Sequence, residues 1–167
     1  MKIDFLKEEE IVTESYFGIC DESNDTVKMP AYVNTCDTNS SNWIAKVTNN
    51  SGKPIGFIAV DYNIEIRREN GDMENRCDAL LHNDEYIIFI ELKDKKDDWI
   101  KLAVEKQLLT TINIFKSCHD ITKFRHRIAY VCNKKHPNFA VSNKEYMQRF
   151  KNEHNIRLII GCNITIK

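Results

Sequence analysis

The chain has 167 residues, a net charge of −1 and 42% hydrophobic residues, values typical of one ordinary globular domain over residues 1–167. This composition excludes a disordered, collagen-like or coiled-coil chain, and its apolar runs are shorter than the roughly 20 residues of a membrane-spanning helix. Because the first ten residues are acidic, whereas a signal peptide has an apolar stretch, we expect a cytoplasmic protein with no membrane partner.

The first half of the chain carries mixed signals of secondary structure. Residues 3–17 predict a helix with an acidic face, and Ser41 or Asn42 can cap a short helix over residues 43–47. Apolar and polar residues alternate over residues 60–67, which is the period of a strand. Asn70, Gly71 and Asp72 then predict a turn.

The second half carries clearer signals. Residues 77–82 and 86–93 predict two strands joined by a short turn. Asp97 or Asp98 can cap a long helix whose apolar residues, from Ile100 to Phe115, follow helical spacing. Strands follow over 126–132 and 157–166, separated by a helix that a Ser142–Glu145 capping box begins. The predicted fold class is therefore α/β, with a mixed central β-sheet flanked by helices.

Three polar residues interrupt the two apolar strands predicted at 77–82 and 86–93. Side chains alternate across a strand, so Glu91 and Lys93 share one face of the second strand, while Asp78 begins the preceding strand. If the two strands pair, these three side chains converge on one site. An ordinary cross-strand ion pair on an exposed sheet face is the alternative interpretation.

Two neighbouring carboxylates are costly to keep ionised unless a cation lies between them. Mg²⁺ suits such a pair because it prefers hard oxygen ligands, keeps several waters and bridges to phosphate. A lysine beside this metal can hold or deprotonate a water molecule, and both cations can offset the charge of a phosphoryl-transfer transition state. The pattern therefore favours phosphodiester hydrolysis.

These residues resemble the motif of the PD-(D/E)xK nuclease superfamily, which has the restriction-endonuclease-like fold. The superfamily has an Asp on its second core strand and (Asp/Glu)-x-Lys on the third, matched by Asp78, Glu91 and Lys93 over a core of about residues 57–132. The resemblance implies that Asp78, Glu91 and the backbone carbonyl of Leu92 bind Mg²⁺, for which Mn²⁺ can substitute. It also implies that Lys93 positions the attacking water and that the substrate is DNA.

Other positions agree with this motif less closely. Cys77 stands where many members have proline, and either Glu10 or Glu14 could supply the glutamate that many members carry on a first helix. Gln107 lies on the predicted long helix and is similar in placement to a glutamine that supports the active site in some members. These members often have a tyrosine four residues later, where this chain has Thr111. A glutamine at the edge of the helix is the alternative.

The charge is unevenly distributed along the chain. Residues 1–115 carry a net −9 and residues 116–167 a net +8. A basic region of this kind can bind nucleic acid, although two oppositely charged regions can also pair on folding. Candidates for contacts with phosphates are Arg125, Arg127, Lys134, Lys135, Lys144, Arg149 and Lys151.

The sequence therefore predicts a Mg²⁺-dependent endonuclease that hydrolyses DNA, with RNA as an open alternative. Duplex cleavage needs two active sites, so a homodimer is expected unless a protein partner takes part. A role in bacterial defence or mobile-element conflict follows only by analogy at the level of fold. The competing hypothesis is a catalytically silent nuclease fold that binds a protein partner, as an inhibitor or a subunit of a complex.

Overall fold

The computed structural model describes residues 2–94, 100–135 and 143–167, which form ten strands in two sheets. The larger sheet has the strand order β1-β5-β6-β7-β8-β9, and the smaller sheet has the order β10-β4-β2-β3. The strands of the larger sheet are β1 (Glu10–Val12), β5 (Ile55–Ala59), β6 (Ala79–His82), β7 (Tyr86–Lys93), β8 (His126–Asn133) and β9 (Arg157–Ile160). Those of the smaller sheet are β2 (Tyr16–Cys20), β3 (Tyr32–Asn34), β4 (Ala45–Asn49) and β10 (Asn163–Ile166).

Both sheets are mixed. In the larger one, β1, β5, β6 and β7 pair antiparallel, and β7, β8 and β9 pair parallel. In the smaller one, β10 is parallel to β4, and the other pairs are antiparallel. Strand β7 lies inside the larger sheet and is buried along most of its length, as its nearly continuous apolar run indicates.

Helices connect the parallel strands, because such strands need a long crossover between them. Between β7 and β8 run α1 (Ile100–Leu102), a π-helical segment (Ala103–Leu108) and α2 (Leu109–Cys118), which follow one another without a break. We call residues 100–118 the crossover helix. Helix α3 (Lys144–His154) lies between β8 and β9, and two short 3₁₀ helices cover Asp37–Asn42 and Ile121–Lys123.

The larger sheet separates two hydrophobic cores. On one face, side chains such as Ile87 and Phe89 pack against Phe115 of the crossover helix and Phe150 of α3. On the other face, alternate side chains such as Ile88 pack with the smaller sheet. The α/β class is therefore confirmed, but helices cover one face of the larger sheet and the smaller sheet covers the other.

Most elements of the second half agree with the sequence prediction. The strands at 77–82 and 86–93, the long helix and the strand at 126–132 are all present. The turn at 70–72 is also present, with Gly71 at a φ of 89° that glycine adopts without steric cost. The helix caps predicted at Asp97, Asp98 and Ser142 lie outside the described residues.

The helix predicted over residues 3–17 is wrong. This stretch contains a turn, β1 and the start of β2. The ring of the buried Phe5 packs against that of Phe115, with 5.5 Å between the ring centroids. The N–H of Phe5 donates to Nε2 of His119 at 3.2 Å. Pairing with β5 and contacts with the core thus outweigh a modest helix propensity.

Three further predictions fail because tertiary contacts decide the local structure. The helix at 43–47 is wrong, since this stretch enters β4 between β2 and β10. The strand at 60–67 is wrong, since β5 ends at Ala59 and Tyr62 has a φ of 59°, outside the extended region. The strand at 157–166 is split at residues 161–162, where the chain passes from one sheet to the other. No helix in the described ranges is long and apolar enough to cross a membrane.

Candidate active site

The hairpin of β6 and β7 brings the predicted acidic residues together. Its ladder ends where Ala79 pairs with Ile90; Asp78 directly precedes Ala79, and Glu91 directly follows Ile90. The N–H of Asp78 donates to the carbonyl of Ile90 at 3.1 Å, which holds Asp78 at the end of the ladder. Because Oδ2 of Asp78 accepts from the N–H of Leu92, the residue after Glu91, both carboxylates belong to one site.

Asp78 is largely buried and receives a backbone hydrogen bond. Its Oδ2 accepts from the N–H of Leu92 at 2.6 Å. Burial raises the pKa of Asp78 to about 7, with the charges of Asp21 and Asp61 adding to the rise, while the Leu92 hydrogen bond and Lys93 act against it. The carboxylate is therefore ionised only at a considerable energetic cost.

Glu91 is fully buried and has little compensation for its charge. Nζ of Lys93 lies 2.5 Å from its Oε1, yet neither side-chain oxygen accepts a well-aligned hydrogen bond from the described residues. Burial raises the pKa of Glu91 well above its ordinary value, the negative charge of Asp78 raises it further, and Lys93 lowers it. The site therefore holds two carboxylates against one lysine and is short of positive charge.

Lys93 is held between Glu91 and Gln107. Its Nζ donates to Oε1 of Gln107 at 2.7 Å, and 12% of the side chain is exposed. Gln107 lies in the π-helical segment of the crossover helix, a type of helical irregularity that is frequent at functional sites. The structure thus brings together all four predicted catalytic residues, Asp78, Glu91, Lys93 and Gln107.

Thr111 anchors the crossover helix to the start of the β6 strand. Its hydroxyl accepts from the N–H of Cys77 at 2.8 Å and donates to the carbonyl of Gln107 at 2.9 Å. The side chain is completely buried. Thr111 therefore fixes the position of Gln107 relative to Asp78, a role that sequence reasoning missed although the four-residue spacing from Gln107 indicated a shared helix face.

Sequence reasoning also missed three charged residues around this site. Asp61 and the buried Arg76 form an ion pair with 2.7 Å between Oδ1 and Nη2. Asp21 follows β2, and its pKa is raised by burial and by the charge of Asp61, and lowered by Lys93. The available signals were the position of Asp21 directly after a strand and that of Arg76 two residues before Asp78.

The remaining candidates lie elsewhere or contribute only main-chain groups. Glu10 is exposed on β1, three strand spacings, or about 14 Å, from β7. Glu14 is exposed between β1 and β2, and no hydrogen bond or ion pair joins it to the site among the described residues. Leu92 supplies its N–H to Asp78, and the role of its carbonyl as a metal ligand stays a prediction.

The predicted phosphate-binding residues are spread over several elements. The N–H of Lys134 donates to the carbonyl of Lys93 at 2.9 Å, which puts its backbone beside the site. Lys135 forms an exposed ion pair with Asp94 at 3.5 Å, and Arg149 lies over the ring of Tyr146. Their contact with DNA stays a prediction.

The carboxylates fit a hard divalent cation. In the parts of the chain that the structure describes, no three His, Cys, Asp or Glu residues are grouped as a metal site. Asp78 and Glu91 would therefore supply two protein ligands, as Mg²⁺ accepts when water and a substrate phosphate complete its shell. The buried Glu91 oxygens, which have no aligned donor in the part of the chain that the structure describes, are the feature that such a cation would satisfy.

Comparisons with known proteins found no relative from which a function could be inferred. No protein-family model matches the chain, and neither does any curated protein or solved structure compared with it. Function is therefore inferred from the chemistry of the site rather than from a relative.

Proposed function

We propose that this protein is a Mg²⁺-dependent nuclease that hydrolyses DNA phosphodiester bonds. The observation that carries the proposal is the fully buried Glu91, whose oxygens have no aligned hydrogen-bond donor among the described residues, beside the Asp78 carboxylate on the N–H of Leu92. A buried carboxylate pair with a single lysine is costly for stability. Such a cost is expected where a cation and a phosphate complete the site.

Each residue of the cluster has a role in this reaction. Asp78 and Glu91 would hold Mg²⁺, with Mn²⁺ as a substitute, and the bound ion supplies charge stabilisation for the reacting phosphate. Lys93 orients the attacking water through its ammonium group. Gln107 accepts a hydrogen bond from that group and so restricts the positions it can take.

The topology supports a relationship with PD-(D/E)xK nucleases. Asp78 directly precedes β6, the second of the consecutive antiparallel strands β5, β6 and β7, and Glu91 and Lys93 lie at the end of the third. The crossover helix and the parallel strand β8 follow. The chain departs from the expected pattern at its N-terminus, where β1 stands in place of a first helix. The restriction-endonuclease-like fold is therefore part of this proposal.

The proposal is tested by incubating the protein with plasmid, single-stranded DNA and RNA, each with Mg²⁺, with Mn²⁺ and with EDTA. We expect cleavage of DNA that requires the metal and that Glu91→Gln lowers by at least about 100-fold, because the amide cannot replace a metal-binding carboxylate. Asp84→Asn, in an exposed turn, is the matched control and should cleave normally. Cleavage that persists in EDTA would contradict the proposal.

The second candidate function is a nuclease fold that has no activity and binds a protein. It is favoured by the contacts of Lys93, because an ammonium group that pairs with both Glu91 and Gln107 can serve a purely structural role. Such a module would show no cleavage of any of the three substrates. Its affinity for a partner would be unchanged by Glu91→Ala, whereas a nuclease depends on that side chain.

A further inference from the structure

A pocket of about 570 Å³ adjoins the candidate active site. It is formed by the loop between β5 and β6, which we call the β5–β6 loop (residues 60–78), and by one residue of the crossover helix. Its lining includes Tyr62, Ile64, Met73, Asn75, Arg76 and Gln107. Because Gln107 also accepts the hydrogen bond of Lys93, the pocket and the catalytic cluster share a side chain.

The charged residues that line this pocket leave no excess of positive charge, since Asp61, Glu65 and Glu74 stand against Arg67 and Arg76. Asp61 pairs with Arg76, Glu65 pairs with Arg67, and Glu74 pairs with Arg68. The pocket therefore lacks the excess positive charge of a phosphate-binding site. Tyr62 and Met73 add exposed apolar surface beside these pairs. A lining of this kind suits a flat, neutral group that also has polar edges.

Tyr62 has a backbone conformation that is unfavourable for its side chain. Its φ is 59°, in the left-handed region that a bulky side chain rarely adopts, and 46% of the residue is exposed. Such a conformation costs about 1–3 kcal/mol and tends to persist at binding sites. An exposed aromatic ring held at the edge of a pocket is a stacking platform for a nucleobase.

Arg76 leaves one donor without a partner. Its Nε and Nη2 both donate to Oδ1 of Asp61, at 3.2 and 2.7 Å, while its buried Nη1 has no hydrogen bond in the described part of the chain. Unsatisfied buried donors are rare and call for an acceptor. The ion pair with Asp61 holds Arg76 in the wall of the pocket.

We propose that this pocket receives one unpaired base of a single-stranded nucleic acid, which stacks on Tyr62. The inference rests on the proposed function for its choice of ligand. A base within a duplex is covered by its neighbours and paired at its edge, so it cannot enter. The nuclease therefore prefers single strands to duplexes.

The test measures binding of fluorescently labelled oligonucleotides by anisotropy, in EDTA so that nothing is cleaved. Single-stranded DNA, single-stranded RNA of the same sequence and the corresponding DNA duplex are compared. Tyr62→Ala should bind the single strands roughly 10-fold more weakly, since stacking on one aromatic ring contributes about 1–3 kcal/mol. Tyr62→Phe, which keeps the ring, should bind like the wild type, and duplex binding should not change.

Two further variants separate stacking from folding. Tyr62→Gly should raise the Tm, because glycine adopts this φ without steric cost, and should still lose the affinity for single strands. Tyr16→Ala removes another exposed tyrosine, on β2 and outside the pocket, and should bind like the wild type. A variant that is more stable yet binds less tightly is not explained by a purely structural tyrosine.

The outcomes distinguish this inference from the proposed function. If Tyr62→Ala keeps full affinity for single strands while the wild type cleaves DNA, the pocket inference is wrong and the nuclease stands. If binding of single strands depends on Tyr62 but the wild type cleaves nothing, the pocket stands and the nuclease is wrong. Equal wild-type affinity for duplex and single strand would also overturn the pocket inference.

Discussion

A cluster of two carboxylates and a lysine lies at each end of the β6–β7 hairpin, and the two clusters have opposite environments. At the turn, Lys53 lies 2.8 Å from Asp84 and 3.5 Å from Glu85, and all three side chains are at least 42% exposed. At the open end, Lys93 pairs with Glu91, whose side chain is 1% exposed. The same residue types therefore form a solvated surface cluster at one end and a buried, charge-deficient cluster at the other.

This difference shows what burial adds to an ion pair. Water screens the charges at the turn, so the pairs there contribute little to stability and require no further partner. At the open end, the protein has removed that water without supplying an equal number of positive charges or aligned donors. The buried cluster is therefore the one suited to bind a cation and a phosphate.

The largest stability effect is expected where a buried ion pair loses one member. Arg76→Ala should lower the free energy of unfolding by about 2–3 kcal/mol, less than for a fully buried pair because Asp61 is 26% exposed. Lys53→Ala, at the exposed turn, should leave the free energy of unfolding nearly unchanged. Denaturant unfolding of both variants measures the difference, and equal losses would contradict the contrast between the two ends.

Mg²⁺ is expected to stabilise the folded protein by binding at the buried cluster and not at the exposed one. Mg²⁺ at about 100 times its Kd should raise the free energy of unfolding by about 2.7 kcal/mol, because it binds the folded protein alone. Glu91→Gln should abolish this gain, and Asp84→Asn should keep it. Thermal unfolding with and without Mg²⁺ provides the measurement. A gain that survives in Glu91→Gln would show that the ion binds elsewhere.

A smaller effect is expected at the link between the crossover helix and β6. Thr111→Val leaves the N–H of Cys77 without its acceptor in a dry environment and should cost about 1–2 kcal/mol. The neighbouring Thr110→Val is the matched control, since that side chain is only partly buried. If both substitutions have the same effect on unfolding, Thr111 does not anchor the helix.

The smallest effect concerns a partly buried histidine. Burial lowers the pKa of His119, Lys2 lowers it further, and Asp4 opposes this change. The folded protein therefore takes up this proton at lower pH than the unfolded chain. The neutral ring, which accepts from the N–H of Phe5, contributes its full stabilisation above about pH 6.5 and loses it as the pH falls through the lower folded value.

His119→Gln should remove this dependence. The difference in unfolding free energy between the wild type and this variant should shrink by less than about 1 kcal/mol as the pH falls from about 7.5 to about 5. Titrations shared by both proteins, including that of Asp78, cancel in the difference. A difference that grows as the pH falls would contradict the assigned direction of the pKa shift.

The part of the fold that the sequence predicts well is the part with regular burial. Strands β6 to β8 and the crossover helix have continuous or periodic apolar residues, so local pattern and final environment agree. Residues 3–17 and 43–47 lack this agreement, because pairing within a sheet decides their structure. The alternation at 60–67 correctly indicates the burial of Ile64 and Ile66, although the backbone there is not a strand.

The candidate site divides in the same way. Asp78, Glu91 and Lys93 are predicted from alternation along two adjacent strands, and Gln107 from helical spacing. Asp61 and Arg76 were missed, because the alternation at 60–67 predicts a strand, whereas this stretch belongs to the β5–β6 loop that brings the two residues together. The π-helical segment that contains Gln107 also has no sequence signal that distinguishes it from an α-helix.

The most direct measurement is cleavage of single-stranded DNA in Mg²⁺ by Lys93→Ala and Lys53→Ala, compared with the wild type. These variants remove the corresponding lysine from the buried and the exposed cluster. The account predicts that the wild type and Lys53→Ala cleave at similar rates and that Lys93→Ala is at least about 100-fold slower. Equal cleavage by Lys93→Ala and the wild type would contradict the assignment of the buried cluster as the active site.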